Sequence, residues 1–459
     1  MFSSLFIGLV IVIGILSPVA SGVNYMGLEV ATQMHVMDGW RKKSGKALNI
    51  TFKPPPHINA EAQQDMKQNL NVFDVYEIFQ SMLPFAEKKW IRDITEDVKD
   101  PRFKWSDIVL SARKWQTEFD GAAWAIPVDT DSFLLYYRRD LIVAPPTTWE
   151  EYIAVAKEWH GKDLNGDGIP DFGACTITEG HFTNLAFTIA PTIMKHKKGN
   201  RQGFTHDVSD NDDELMKNLL ETEGWAYTME IVKEIWKYSQ GEQVGLSTAY
   251  GQFRDGRCAT YISYPSAGTQ TVAAGSYIKG KLGVARAPGS KKVYDRETKT
   301  MTPCDADLCS FVEAGNVNRP SFITGGVMLI VNGKLEGQRL QDALDFCAYA
   351  STHVDVRLPG AINPFRESQF NASWFAEAAN PWAKSDAELY TAALRKVIDS
   401  PHTVSFPRMP NVQFINANVE RAMKEFVRLA PYNESTDDIT TIIDRSAIYA
   451  QGTYSTALF

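Results

Sequence analysis

The chain has 459 residues, 44% hydrophobic and 22% charged, with a formal net charge of −8. That length exceeds one ordinary core and predicts two or more lobes. The composition is that of a soluble globular protein, and no concentration of basic residues argues for a nucleic-acid partner.

Leu5 to Leu16 is an apolar run of signal-peptide length, short for a membrane span. Residues 1–22 therefore read as a signal peptide cleaved near Ala20 to Gly22, which predicts a secreted, periplasmic or extracellular protein. No positive charge precedes the run, so an uncleaved anchor is the rival reading. "GVNYMGLEV" reads as a poor strand. Leu28 to Lys43 reads as a helix, with Val30, Met34, Met37 and Trp40 at three- and four-residue steps. "KSGKALNITFKPPP" gives a turn, a strand and a proline stop. Ala60 to Leu70 is a second helix, "VFDVYEIF" a strand buried on both faces, and "SMLPFAEKKWIRDITEDV" a returning helix with an acidic connection. This alternation predicts an α/β sheet with parallel strands.

In "IPVDTDSFLLYYRRDLIVAPPTTWEEY" two acids, Asp129 and Asp131, stand before the aromatic strand Phe133 to Tyr137. Pro145 and Pro146 end the strand. Thr148, followed by Trp149, Glu150 and Glu151, supplies an N-cap with acids in the first turn of a helix reaching His160. Asp212 to Leu220 and Trp225 to Gln240 read as two further helices. "RCATYISYPS" and "KLGVARAPGS" read as strands. Gly289 to Asn318 reads as a polar surface excursion, "SFITGGVMLIVNG" as one strand, Leu335 to Ser351 as a helix, and the last hundred residues as helices broken by prolines.

Five cysteines leave at least one unpaired within the chain. Cys304 and Cys309 can close a small loop, or remain thiols. Sequons stand at Asn49, Asn371 and Asn433 and fit a secreted glycoprotein.

"DLNGDGIPDFG" opens like a calcium loop: Asp163, Asn165 and Asp167 alternate, Gly168 allows a tight turn, the Ile169 carbonyl and Asp171 follow. Position twelve is Ala174, so a closing ligand must come from elsewhere, with Glu179 the candidate. The expectation is a structural Ca2+, against an Asx-rich turn without an ion. Chemistry is thin: no HExxH, G-x-S-x-G or Walker loop occurs. Asp129 and Asp131 are expected to face opposite ways, poorly placed to flank a glycosidic bond. Acids that accept from hydroxyls, with flat aromatic faces, suit a sugar. Asp131, Tyr264, Phe79 and Trp124 are the candidates.

Several segments, in order, resemble the family-1 extracellular solute-binding proteins, sugar-binding subunits of ABC importers. They are "NVFDVYEIF", "WAIPVDTDSFLLYYRRDLIVAPPTTWEEYIAVAKEW", "DLNGDGIPDFG", "FRDGRCATYISYPSAG", "GVARAPG", "ITGGVMLIV" and "LQDALDFCAYAST". The resemblance spans roughly residues 28 to 430. It implies a two-lobed periplasmic-binding-protein-like α/β fold with a ligand cleft between the lobes. Residues 23–128 form the first part of lobe 1, 129–285 the first part of lobe 2, 286–355 the second part of lobe 1, and 356–459 mainly lobe 2 helices. Ile126 to Asp131 becomes a crossover, so the acids face a closing cleft. Asp131 then accepts from ligand hydroxyls, Tyr264 stacks, Phe79 lines lobe 1, and Gly325 and Gly326 allow close backbone approach. Glu179, His181 and Arg366 fall on the rim. The implied function is non-enzymatic capture of a sugar, oligosaccharide or polyol for a membrane permease. The alternatives are a ligand-sensing ectodomain of a larger, possibly eukaryotic receptor and a carbohydrate-active hydrolase.

Overall fold

The computed structural model describes residues 22–405, apart from 29–30, 54, 80–82, 180, 200–201, 209–215, 242–243, 273, 359–361, 378–381 and 401, together with 419, 420 and 423. The leader, except Gly22, and the sequon at Asn433 lie outside the described residues.

The main strands are β1 (Gly22–Gly27), β2 (Ala47–Phe52), β3 (Val75–Phe79), β4 (Ile126–Pro127), β5 (Leu134–Arg138), β6 (Phe172–Cys175), β7 (Cys258–Ser263), β8 (Leu282–Arg286) and β9 (Val327–Val331). The main helices are α1 (Ala31–Ser44), α2 (Pro55–Lys67), α3 (Trp149–Trp159), α4 (Thr183–Met194), α5 (Glu223–Trp236), α6 (Leu246–Arg254), α7 (Gly337–His353) and α8 (Lys384–Ile398). One sheet has the order β2-β1-β3-β9-β4, the other β8-β5-β7-β6. β1, β2 and β3 run parallel, with α1 and α2 as crossovers. β9 returns antiparallel to β3 and β4. In the second sheet β5 runs antiparallel to β7 and β8, while β6 runs parallel to β7. The chain thus leaves the first sheet at β4, builds the second, and comes back for β9.

Local signals explain much of this. The Thr148 hydroxyl accepts from the Glu151 amide at 3.2 Å, and the Glu151 carboxylate accepts from the Thr148 amide at 3.3 Å, a reciprocal cap that starts α3. Glu77 looks misplaced in β3, where it is fully buried. Its side-chain carboxyl accepts from the Tyr25 hydroxyl at 2.7 Å and the Leu28 amide at 2.6 Å, which satisfies the buried polar group.

Four readings change. "GVNYMG" is a central strand with all six residues buried. Its small residues suit crowding: a Cβ on Gly22 would meet the Ala47 carbonyl at 2.4 Å. Strand pairing on both sides overrides its weak intrinsic propensity. Of the expected helix Asp212 to Leu220, 212–215 lie outside the described residues and the rest is no helix, because Met216–Asn218 pairs antiparallel with His206–Val208. "SFITGGVMLIVNG" is two strands: Ser321–Ile323 pairs with Thr403–Ser405, and β9 joins the first sheet. The excursion after Gly289 is no surface loop. It holds the hairpin Lys292–Asp295 and Thr300–Pro303, buries Val293 and Asn318, and packs on α4 and α5. Asn318 ties it there, its amide donating to the Thr192 carbonyl at 2.7 Å and the Lys195 carbonyl at 2.9 Å. Within 286–355, this hairpin region therefore sits on the second lobe's helices, and β9 and α7 on the first sheet. Helix α8 packs along β8 of the second sheet.

A disulfide joins Cys175 on β6 to Cys258 on β7, and a second joins Cys304 to Cys309. Cys347 is a buried free thiol. Among the described residues no helix is long and apolar enough to cross a membrane.

Candidate functional site

Three chain segments pass between the sheets, and they meet at the acids. On the first, the Val128 amide donates to the Val327 carbonyl at 3.2 Å. The Thr324 amide donates to the Asp131 carbonyl at 2.9 Å, and Ser132 bridges Ile323. The second crossing, 324–327, thus lies against the first. Gly326 makes this possible. Its φ is +96°, and a Cβ there would come within 2.9 Å of the Thr130 Cα. Gly325 also has a positive φ, of +114°. The close approach these glycines allow is to the neighbouring crossing.

The third crossing brings Asn363, fully buried, onto both acids. Its backbone amide donates to Asp129 Oδ1 at 2.6 Å. Its side-chain Nδ2 donates to Asp129 Oδ1 at 2.8 Å and to Asp131 Oδ1 at 2.6 Å. The acids therefore share a face, as residues i and i+2 of an extended chain do. This corrects the expectation of opposite faces. Asp129 is 1% exposed, and the backbone amides of Val327 and Thr130 also face its carboxyl. Burial pushes the Asp129 carboxyl up to about 7. Burial, then the charge of Asp129, holds Asp131 well above the usual carboxylate range. No ion pair among the described residues includes either acid.

Aromatic hydroxyls surround the pair. Tyr264 follows β7 and is half-buried. Its hydroxyl accepts from Asn184 Nδ2 at 2.8 Å and lies 3.4 Å from His181 Nδ1. Its ring leans on Phe133 at 4.9 Å between centroids. Burial, and next the Asp131 charge, raise the Tyr264 hydroxyl far above its ordinary value, so tyrosine and acid face one space. The Tyr250 hydroxyl on α6 pairs with Ser266 at 3.0 Å, and Tyr390 reaches in from α8 with a buried hydroxyl that lacks a partner. Asn363 presents a further buried oxygen without a protein partner, while the Tyr250 and Tyr261 hydroxyls both reach the Ser263 hydroxyl. Each such atom costs about 1–3 kcal/mol unless water or a ligand group meets it.

The other sequence candidates divide. Phe79 ends β3, opposite Val327 in register, with its peptide held at both ends by Asn59 at 3.0 and 3.1 Å. Trp124 is half-buried on the first sheet's core and donates to the Phe119 carbonyl at 3.1 Å. Glu179 is exposed. His181 stands beside Tyr264; burial lowers its pKa, and Glu420 opposes this. Arg366 is not on a rim. It is 3% exposed, and its guanidinium donates to the Ser351 carbonyl at 2.8 Å, the Ser351 hydroxyl at 2.7 Å, and the carbonyls of Lys104 and Phe103 at 3.1 and 3.2 Å. Those bonds commit it to holding the third crossing. Asn363, Tyr250 and Tyr390 were missed. They lie far along the chain from the acids, and only "INPF", an extended residue before proline, marks the position of Asn363.

In "DLNGDGIPDFG" the Asp163 carboxylate accepts from the amides of Gly166 at 2.7 Å, Asp167 at 3.1 Å and Gly168 at 2.9 Å. Asn165 and Asp167 accept from the amides two residues on. Asp171 turns inward instead. It accepts from the Leu164 amide at 2.8 Å and pairs with Arg257 at 3.1 Å, which removes it from a ligand set in the loop.

The sequence profile of a family described as bacterial extracellular solute-binding protein matches residues 42–355. A "probable ABC transporter-binding protein" of Deinococcus radiodurans is 23% identical over 258 residues, 55% of this chain and 58% of that one. The alignment thus spans less than two thirds of that relative. Three solved structures share the two-lobed fold. A solute-binding protein of Agrobacterium radiobacter K84 in complex with ribitol is 15% identical over 95% of this chain and 99% of its own, with a TM-score of 0.70. One of Agrobacterium vitis S4 with bound D-mannitol is 14% identical over 95% and 99%, with a TM-score of 0.65. The maltose/maltodextrin-binding domain of Bdellovibrio bacteriovorus bound to maltotriose is 15% identical over 94% and 99%, with a TM-score of 0.62.

Proposed function

The chain belongs to the bacterial extracellular solute-binding proteins, and on that premise we propose that it captures an uncharged polyhydroxylated solute, a sugar or polyol, by closing two lobes on it. One observation carries the reading. The region where the crossings meet gathers two acids, three tyrosines and the unpartnered buried oxygens of Tyr390 and Asn363, and no cation among the described residues pairs with the acids. Hydroxyl groups can donate to such acids and complete such oxygens. A carboxylate or phosphate ligand would meet acids instead. The ligands in the titles of structural neighbours, ribitol, D-mannitol and maltotriose, are of this class.

The test is calorimetry of the purified chain against these three compounds, with product analysis of each mixture. Saturable one-to-one binding, weakened at least tenfold by Tyr264→Ala and by Asp131→Ala, and no released product, is the expected result. Product release would move the reading to a hydrolase. Silence from all three would remove sugar and polyol capture. Delivery to a membrane permease and a secreted, periplasmic or extracellular location belong to the same proposal, supported by the family and the transporter-binding relative.

A calcium ion at Asp163, Asn165, Asp167 and the Ile169 carbonyl is a second, separable proposal, supported by the alternation of oxygen donors. Added calcium then raises Tm in the wild type and not in Asp167→Ala. Equal curves would leave the loop as a network of Asx turns.

A further inference from the structure

The two acids do more than line a cleft: they join all three crossings. The Asp129 carbonyl accepts from Gln116 Nε2 at 2.8 Å, and the same Nε2 donates to the Val327 carbonyl at 3.2 Å. Gln116 stands in a π-helical turn, Arg113–Thr117, a local irregularity that aims the side chain at the junction. The Asp129 carboxyl holds Asn363 of the third crossing at two points, and Asp131 holds it at one. The two carboxyls also lie within hydrogen-bonding reach of one another. The groups facing them are Asn363, Tyr250 from α6, Tyr264 after β7 and Tyr390 from α8. None of these carries a positive charge. The backbone amides of Asn363, Val327 and Thr130 offset part of the cost of ionising Asp129, but a second ionised carboxylate on the same Asn363 side chain would repel the first. A carboxyl and a carboxylate would attract, and their common hold on the Asn363 amide keeps the two close enough to share a proton.

We propose that Asp129 and Asp131 share one proton, and that this proton latches the hinge: its loss drives the acids apart, releases Asn363 and lets the lobes open. The consequence for the solute, weaker capture at alkaline pH, rests on the capture reading; the latch itself does not. Both acids are shifted upward in the folded state. The stabilisation is therefore complete below the ordinary carboxylate value of ~3.9 and is lost as pH rises through the raised values, about 7 for Asp129.

The experiment uses the full chain without ligand. Tm is followed from acid to alkaline pH for wild type and Asp129→Asn, and the radius of gyration is measured by small-angle X-ray scattering over the same range. Wild-type Tm should fall by several degrees more than that of the variant, and wild-type radius should rise above neutral pH while the variant's stays constant. Parallel Tm curves would overturn the shared proton. Divergent Tm curves with a constant wild-type radius would overturn the latch. Should Asp129→Asn fail to fold, the wild-type infrared spectrum decides the proton: a protonated-carboxyl band at neutral pH that disappears on alkaline titration supports it, and its absence overturns it. Failure of ribitol, D-mannitol and maltotriose to bind would count against the proposed function alone.

Discussion

Asn363→Ala removes the side-chain amide that ties the third crossing to the acids while keeping the backbone bond to Asp129. Two hydrogen bonds disappear, at 2.8 Å to the buried Asp129 and at 2.6 Å to the half-buried Asp131. A bond to a charged group contributes roughly 1.5–3 kcal/mol and a neutral one about 1 kcal/mol. If the pair carries one charge, the loss is about 3 kcal/mol. Asn363→Asp is the sharper variant. It keeps the shape but replaces a donor with a third acid facing two others. If the amide acts as a donor, aspartate is worse than alanine; if it only fills space, aspartate is milder. Urea unfolding at neutral pH, followed by tryptophan fluorescence, ranks the three proteins. Asn363→Asp at least as stable as Asn363→Ala would refute the assignment of Asn363 as the tie.

Arg366→Met should cost about 3–5 kcal/mol, because it strips a buried, fully bonded guanidinium from three carbonyls and a hydroxyl; unchanged affinity for whichever polyol binds wild type would separate this framework role from ligand contact. Replacing Cys175 and Cys258 together by serine opens a link between residues 83 apart in sequence, with a loss of about 4.5 kcal/mol on the chain-entropy account, read by thermal unfolding with and without reductant. Expressed through a eukaryotic secretory pathway, the chain should carry glycan on the exposed Asn371 and not on Asn49, whose half-buried amide donates to Asn24 at 2.9 Å; peptide mass spectrometry distinguishes the two.

The sequence made the elements legible where a local signal was strong. Thr148 and Glu151 announced α3 through a cap that needs only four residues, and the apolar run "VYEIF" announced β3. The failures occurred where partners decide. "GVNYMG" has weak strand propensity, but parallel neighbours on both sides bury it. "KNLL" fits a helical spacing, yet its amides answer to 205–208: Leu219 donates to the Thr205 carbonyl at 3.0 Å. The glycine pair in "SFITGGVMLIV" was visible. That it splits one apparent strand between two lobes follows from the positive φ angles and the contact with Thr130, neither of which the sequence states.

The site shows the same division more sharply. Asp129, Asp131 and Tyr264 could be singled out because acids before a strand and an aromatic after one mark strand ends, where α/β sheets meet ligands. Asn363 could not, because an asparagine 232 residues from Asp131 carries no periodicity that links the two. The resemblance placed Arg366 on the rim, although a planar fork of donors is also what three converging carbonyls require. The pairing rule decides between these roles. In a buried site a charge must find partners, so the question for each charged residue is which backbone groups lack one. Arg366 answers the carbonyls of Phe103, Lys104 and Ser351. Among the described residues the acids have neutral amides and no cation as partners, and a proton or a ligand hydroxyl is what can offset the second charge.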